Sequence, residues 1–387
     1  MRRRGENSWQ LRVYVGRDPK SGRKRYMERT FHGGQRQAGR ALAALAIEVE
    51  RLTPRTASEG TMEALFNEWL AHAAPSFSPK TVDTTLGYLR KPIIPALGAL
   101  QASRITTADL DRFYRSLLER GGPSGPYAPA TIRRIHGIVR RALTQGVRWG
   151  WLSHNPALDA SPPRVRARVL SPPSPDELVR LLQFAEATDP DLTAFIWLAS
   201  STGARRGELL AMRRSDVDLV SATVTIERGI VIANGKLIEQ GTKTHQTRCV
   251  ALDSSTIGML RSHFDRQDVR ANASATSVSR SAFVFSHDVE CVVPWRPDST
   301  TRAFRKLCHE VGIHGIRLHD LRHYVATRLL AAGVDVRTVA GRLGHRNAST
   351  TLNVYAHFVP GTDRGAAKAL GEVLSSALAV RKAAETS

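Results

Sequence analysis

Six side chains between residues 205 and 355 have the types and spacing to act on a phosphate diester. Arg205 and Glu208 stand three apart in Thr202-Gly203-Ala204-Arg205-Arg206-Gly207-Glu208-Leu209-Leu210, so one helix start can carry both on one side, the carboxylate holding the guanidinium. Lys243, in Gly241-Thr242-Lys243-Thr244, falls between the strand-like runs 231–238 and 249–252, which puts a flexible ammonium near a hairpin tip with reach into a cleft. His319 and Arg322 are again three apart, in His319-Asp320-Leu321-Arg322-His323. His345 follows Leu343-Gly344 and precedes Tyr355 by ten residues, with Ser349 placed to cap the helix bearing Tyr355. Alone, each has a duller reading as a surface ion pair, a loop lysine, a helix-end histidine or a half-buried aromatic. Two arginines, a lysine, two histidines and a tyrosine in this order make a phosphate-gripping and proton-moving set.

The elements that must position them are spread over a chain of 387 residues, 42% hydrophobic, long enough for two or three domains. Its net charge of +21 and pI of about 10.8 point to a polyanionic partner, nucleic acid first. Residues 1–56 hold 14 Lys and Arg against 5 Asp and Glu, the most basic stretch per residue. Alternation of Trp9, Leu11, Val13 and Val15 predicts a strand over 8–15, turn residues follow at 18–22, and 26–31 reads as a second strand before a helix over 35–52. Beyond a linker at 54–60 the pattern is helical, over 62–72, 80–90, 108–119 and 130–149, with Thr107 placed to cap the third helix. Pro156, Pro162 and Pro163 with Arg164, Arg166 and Arg168 mark an extended cationic linker at 155–170. A capping box then opens the last module, Ser174 and Glu177 around Pro175, followed by helices, a short strand region at 222–251 and helices from 300 onward. The reading is a multidomain, mainly α chain with small β-sheets, divided at 1–56, 57–168 and 169–387.

Taken together, the runs 202–210, 242–243, 319–322, 343–345 and Asn353-Val354-Tyr355-Ala356-His357 resemble those of the tyrosine recombinase, or phage integrase, family, and the resemblance spans nearly the whole chain. It implies an active-site set of Arg205, Lys243, His319, Arg322, His345 and Tyr355. It also implies a site-specific recombinase that cuts and rejoins double-stranded DNA through a 3′-phosphotyrosyl link, integrating or excising a phage or mobile element. Physical chemistry fits those roles. A free phenol has a pKa near 10, so attack at neutral pH needs cationic neighbours or a base, for which His319 is the candidate. Arg205 and Arg322 suit the nonbridging oxygens, Lys243 the departing 5′ oxygen, and His345 a further hydrogen bond to the phosphate.

By the same resemblance, 1–56 is a small β-sheet-plus-helix module for arm-type DNA sites, 57–168 a helical SAM-like core-binding domain, and 169–387 a mixed α+β catalytic domain. A helix over 366–380 would dock on a neighbouring protomer in a homotetramer on DNA, with an excisionase and a DNA-bending host factor as possible partners. Arg214 stands where many relatives carry tryptophan. No cofactor is expected, since the chain has neither a Walker-type phosphate loop nor an acidic cluster for paired Mg²⁺ ions.

Rival readings leave more unexplained. His319 and His323 have the spacing of a zinc-binding helix, which accounts for neither Arg322 nor Lys243. Tyr324 is a competing nucleophile, but directly after the His-Arg-His turn it is expected to pack inward. A type IB topoisomerase would use the same chemistry on a different layout, and a DNA-binding regulator without catalysis would have no use for six intact groups. Cys249, Cys291 and Cys308 fit neither a disulfide framework nor a metal knuckle and are expected to be buried thiols. No apolar run approaches about 18 residues and no signal-peptide core follows Met1, so a cytoplasmic, nucleoid-associated protein with no membrane partner is expected.

Overall fold

The alternating residues at the start of the chain form a sheet, and it gains a strand that the pattern does not announce. The computed structural model describes residues 1–5, 7–17, 24–52, 60–122, 125–165, 172–242 and 247–345. Strands β1 (Arg2–Gly5), β2 (Ser8–Arg17) and β3 (Lys24–His32) pair antiparallel in that order, and helix α1 (Gln35–Leu52) follows. Trp9, Leu11 and Val13, with Met27 and Phe31, line one face and pack on Ala38, Leu42 and Leu45. On the opposite face Arg12 lies 3.8 Å over the ring of Tyr26, which meets Tyr14 edge-on. Strand β1 carries no apolar residue, so periodicity could not reveal it; its pairing with β2 is what makes it a strand.

A second core belongs to five helices, α2 (Met62–Ala73), α3 (Pro79–Tyr88), α4 (Ile94–Leu97), α5 (Thr107–Glu119) and α6 (Pro129–Arg148). Leu65, Phe66, Leu89, Ile135, Val139 and Leu143 are among its fully buried members. A wider turn at Leu89–Ile93 takes up Pro92, which has no N–H to give, and joins α3 to α4. The cap of α5 is Thr106 rather than Thr107: the Thr106 hydroxyl accepts from the Asp109 N–H, and the Asp109 carboxylate accepts from the Thr106 N–H. Thr107 donates instead to the Pro156 carbonyl at 3.1 Å, fastening the segment that leaves the helices.

Contacts divide the chain into two compact units, Met1–Ala167 and Arg168–Ser387. The second opens with α7 (Pro175–Thr188) behind the expected Ser174–Glu177 capping box, then α8 (Pro190–Thr202) and α9 (Arg206–Ala211). Strands β4 (Val217–Asp218), β5 (Thr223–Ile226) and β8 (Arg248–Ala251) form one sheet; β6 (Arg228–Ala233) and β7 (Lys236–Gly241) form a separate hairpin. The run 231–238, read above as one strand, is broken by a turn at Asn234–Gly235, both with positive φ. The hairpin tip is therefore Asn234–Gly235, and residues 243–246, Lys243 among them, lie outside the described residues between strands of different sheets.

Helices α10 (Ser254–Ala273), α11 (Pro297–Glu310), α12 (Asp320–Ala331) and α13 (Val336–Leu343) follow among the described residues of this unit, around a core that includes Phe195, Leu209, Val224, Phe285, Phe304 and Leu321. Arg214 lays its flat guanidinium 4.8 Å over Phe264 and hydrogen-bonds to Gln267 and Asp268. Tyr324 packs its ring against the apolar clusters on both sides of α12. Cys291 and Cys308 are buried as expected, but Cys249 is exposed, because β8 turns its neighbours Arg248 and Val250 inward.

One ionic knot pins α8 to α10. Asp191, in the first turn of α8, meets His263 Nδ1 at 3.2 Å and Arg270 at 2.6 Å, while His263 donates from Nε2 to the Val284 carbonyl. Burial would raise the Asp191 carboxyl, but the hydrogen bonds from His263 and Arg270 outweigh it and hold it well below its ordinary value. A carboxyl depressed on folding stabilises above its unfolded pKa and loses that contribution as pH falls toward the folded one. Stability to urea should therefore drop as pH falls below about 3.8, and Asp191→Asn should flatten that acid limb. Equally steep limbs in the two proteins would contradict the assignment.

Candidate active site

Arg205 occupies the N-cap of α9, and Glu208 one turn on reaches back to it twice, accepting from the Arg205 backbone N–H at 2.8 Å and from its guanidinium at 2.7 Å. The Glu208 side chain is only 4% exposed while Arg205 keeps 27%, so this is a buried anion aiming a half-open cation, not a surface pair. Burial raises the Glu208 carboxyl, and the guanidiniums of Arg248 and Arg205 more than reverse it, keeping it ionised.

Two glycines bring the other segments in. Gly203 ends α8 in the left-handed conformation (φ 66°), and its carbonyl accepts from Arg322 at 2.7 Å. A Cβ there would meet Leu343 at 2.5 Å, so the approach of α13 to this turn also requires glycine. Gly344 ends α13 in the same conformation (φ 68°), and its carbonyl accepts from Arg205 at 3.1 Å. Arg322 and Arg205 are thus each held by a carbonyl that a left-handed turn presents, with His345 directly after the second turn. Arg322 is buried in the first turn of α12, whose N-cap is His319. Asp320 fixes that turn by accepting from the Arg317 backbone and guanidinium.

The two imidazoles feel this positive charge. His345 titrates far below an ordinary histidine, at about 4, because its surroundings strip water from the charged form and Arg322 and Arg205 lie close. His319 is also pushed down to about 4, by desolvation and by His323, Arg322 and Arg205. Both rings are neutral at pH 7 and can each accept one proton or donate one N–H. His323 stands edge-on to His319 at 5.0 Å, and among the described residues no three His, Cys, Asp or Glu side chains gather to hold a metal ion.

Of the six residues read from the sequence, four, Arg205, His319, Arg322 and His345, converge here; Lys243 and Tyr355 lie outside the described residues, as do Ser349 and the expected helix at 366–380. The model of the phage integrase family matches residues 174–360, and that of the phage integrase N-terminal SAM-like domain matches 61–118, together more than half of the chain. The chain belongs to the phage integrase family. Its relatives include a XerC-like tyrosine recombinase of Caldanaerobacter subterraneus subsp. tengcongensis, 24% identical with 95% of this chain and 97% of that one covered. The ICEBs1 integrase of Bacillus subtilis is 22% identical at the same coverage, 95% and 97%. The fold is that of a Tn1549 transposon integrase fragment solved with transposon right-end DNA, with a TM-score of 0.67, 17% identity, and 81% of this chain and all (100%) of that one covered. It is also that of lambda integrase solved as a dimer on a core site, with a TM-score of 0.58, 20% identity, and 91% and 96% covered.

Motif spacing in this phage integrase family member did not single out Arg248, which the structure places against Glu208 at 2.5 Å with its side chain 8% exposed. The signal was available: in β8, Arg248 shares a face with buried Val250, and a charge on an inward face must find a partner. Arg342 escaped for a plainer reason, since nothing local indicates that its guanidinium reaches the carbonyls of Ser201 and Ala251. In DNA-free protein, NMR titration should find the His319 and His345 rings neutral down to about pH 5, with midpoints near 4 rather than the ordinary 6.5. Midpoints at 6.5 would show that the arginines do not act on them.

Proposed function

We propose that this chain is a site-specific tyrosine recombinase, an integrase that cleaves and rejoins double-stranded DNA to integrate or excise a phage or other mobile element. Membership of the family supports the activity. The observation that carries the site is the meeting of Arg205, Arg322, His319 and His345, from three separate segments, around the two glycine-ended turns.

In this reading Arg205 and Arg322 grip the nonbridging oxygens of the scissile phosphate and stabilise the charge that builds there. The Tyr355 oxygen attacks phosphorus as His319 takes the phenol proton, and His345 donates its N–H to the same phosphate. The bond to the 5′ oxygen breaks, and Lys243 supplies the proton for that leaving group. The product is a 3′-phosphotyrosyl ester and a free 5′-hydroxyl. Because one ester replaces another, the hydroxyl of a partner strand can reverse the step without an added energy source.

Residues 57–168 serve as the core-binding domain and 169–387 as the catalytic domain. Residues 1–56 take arm-type sites, the exposed Arg12, Tyr14 and Tyr26 of their sheet meeting DNA. Lambda integrase has been solved as a tetramer on a Holliday junction, and we extend a DNA-bound homotetramer to this chain, its 366–380 segment docking on a neighbour. An excisionase and a DNA-bending host factor are the expected accessory partners, and the cytoplasm, at the nucleoid, is the expected location. No described helix is long and apolar enough to cross a membrane.

Tyr355→Phe should abolish the covalent adduct on a nicked duplex spanning the attachment junction while leaving DNA binding intact. An adduct that survives, or one mapped to Tyr324, would overturn the assignment; relaxation of supercoils without recombinant products would favour a topoisomerase instead. Deleting 1–56 should flatten the salt dependence of arm-site binding by about 0.9 log units per lost phosphate contact, with adduct formation at the core site unchanged. An unaltered slope would remove the module from the DNA interface.

A further inference from the structure

Glu208 is shared. Its Oε1 accepts from the Arg205 guanidinium at 2.7 Å, and its Oε2 accepts from the Arg205 backbone N–H at 2.8 Å and from Arg248 Nη2 at 2.5 Å. Arg248 also donates from Nε to the Arg342 carbonyl at 3.0 Å, and its Nη1, buried with no acceptor among the described residues, lies where a Cβ on Gly344 would come within 2.8 Å of it. One guanidinium therefore touches both the anion that aims Arg205 and the turn whose Gly344 carbonyl holds Arg205 from the other side.

The charge balance makes this more than packing. A buried carboxylate paired with Arg205 alone would form a neutral pair, and a neutral pair does little for the negative charge that builds on a phosphate in the transition state. With Arg248 on the same carboxylate, two fixed cations face one anion, and the group keeps one net positive charge. Glu208 can then orient Arg205 without cancelling it.

We infer that Arg248 is a positioning residue for DNA cleavage, a counter-cation that leaves Arg205 electrostatically available to the scissile phosphate while its Nε tethers the turn before His345. This rests on the recombinase reading above. It deepens that reading by assigning the buried strand residue that sets the working charge of the site. An arginine that is merely structural would be needed for its hydrogen bonds and volume whatever stood at residue 208. A counter-cation becomes dispensable once the anion is gone, and that difference is measurable.

The test is single-turnover adduct formation on the nicked attachment-junction duplex, with DNA affinity and melting temperature recorded for each protein. Arg248→Met should slow adduct formation by about thirtyfold at unchanged DNA affinity, whereas Arg248→Lys, which keeps the charge, should stay within about threefold of wild type. Adding Glu208→Gln to Arg248→Met restores one net positive charge and should recover about tenfold of the lost rate. If Arg248→Met does not fold, Arg248→Gln, neutral but still a donor to Glu208, takes its place with the same expectations. A double variant no faster than the single one, or Arg248→Lys as slow as Arg248→Met, overturns the inference. A wild-type protein that forms no adduct at all defeats the recombinase reading and this inference with it; a wild-type adduct with Arg248→Met at full rate defeats the inference alone.

Discussion

The unit from Arg168 onward is organised around one carboxylate that has almost no contact with water. Glu208 exists as an anion there only because two guanidiniums and a backbone N–H surround it. An isolated buried carboxylate would take up a proton rather than bear the loss of hydration. Its partners come from the α9 N-cap and from β8, so the pairing requires the helical and sheet parts of the unit to close on each other. Apolar packing supplies the bulk of the stability, through residues such as Phe195, Leu209 and Val224. Packing alone would tolerate small slides between those layers. A buried ion pair tolerates them far less, because any displacement leaves charge uncompensated.

The backbone turns at Gly203 and Gly344 extend that constraint to the other segments. A helix end leaves carbonyls without partners, and proteins usually satisfy them with water or a cap. Here the carbonyls of the two left-handed glycines are satisfied by Arg322 and Arg205, so the same bonds that finish two helices also set the positions of two cations. The cost of the unusual backbone falls where only glycine fits, since Leu343 and Arg248 occupy the space a side chain would need. The Leu-Gly-His and Thr-Gly sequences are therefore conditions for closing the site as much as signals of a family.

This division explains what could be read in advance. Arg205, His319, Arg322 and His345 were legible because each lies at a helix end where three-residue spacing or a glycine marks the geometry. The helices between Met62 and Arg148 followed from periodicity, and the Ser174 capping box from its chemistry. Local pattern failed where two signals competed. Thr106 and Thr107 are both capable caps, and only the position of Asp109 chooses between them. Asn234–Gly235 is a hairpin turn whose Asn-Gly signal was overridden by the apolar residues at 231–233 and 237–238. Strand β1 has no apolar face at all, and Arg248 acquires its role from Glu208, forty residues earlier. Contacts of that range follow from the closed fold and not from any window of sequence.

The electrostatic state of this cluster bears on its chemistry. Arginine does not lose its proton in any accessible pH range, so the cations here are permanent, whereas histidine can respond. By stripping water from His319 and His345 and crowding them among those cations, the fold keeps both rings neutral and so able to take up a proton. A phosphate diester entering the site would bring a negative charge among the same groups, offsetting the repulsion that disfavours imidazolium. On the proposed reading, the affinity of His319 for a proton would rise when a phosphate diester is bound, which is when a base is wanted. No moving part is needed for this coupling: fixed arginines, a shared carboxylate and two responsive rings suffice.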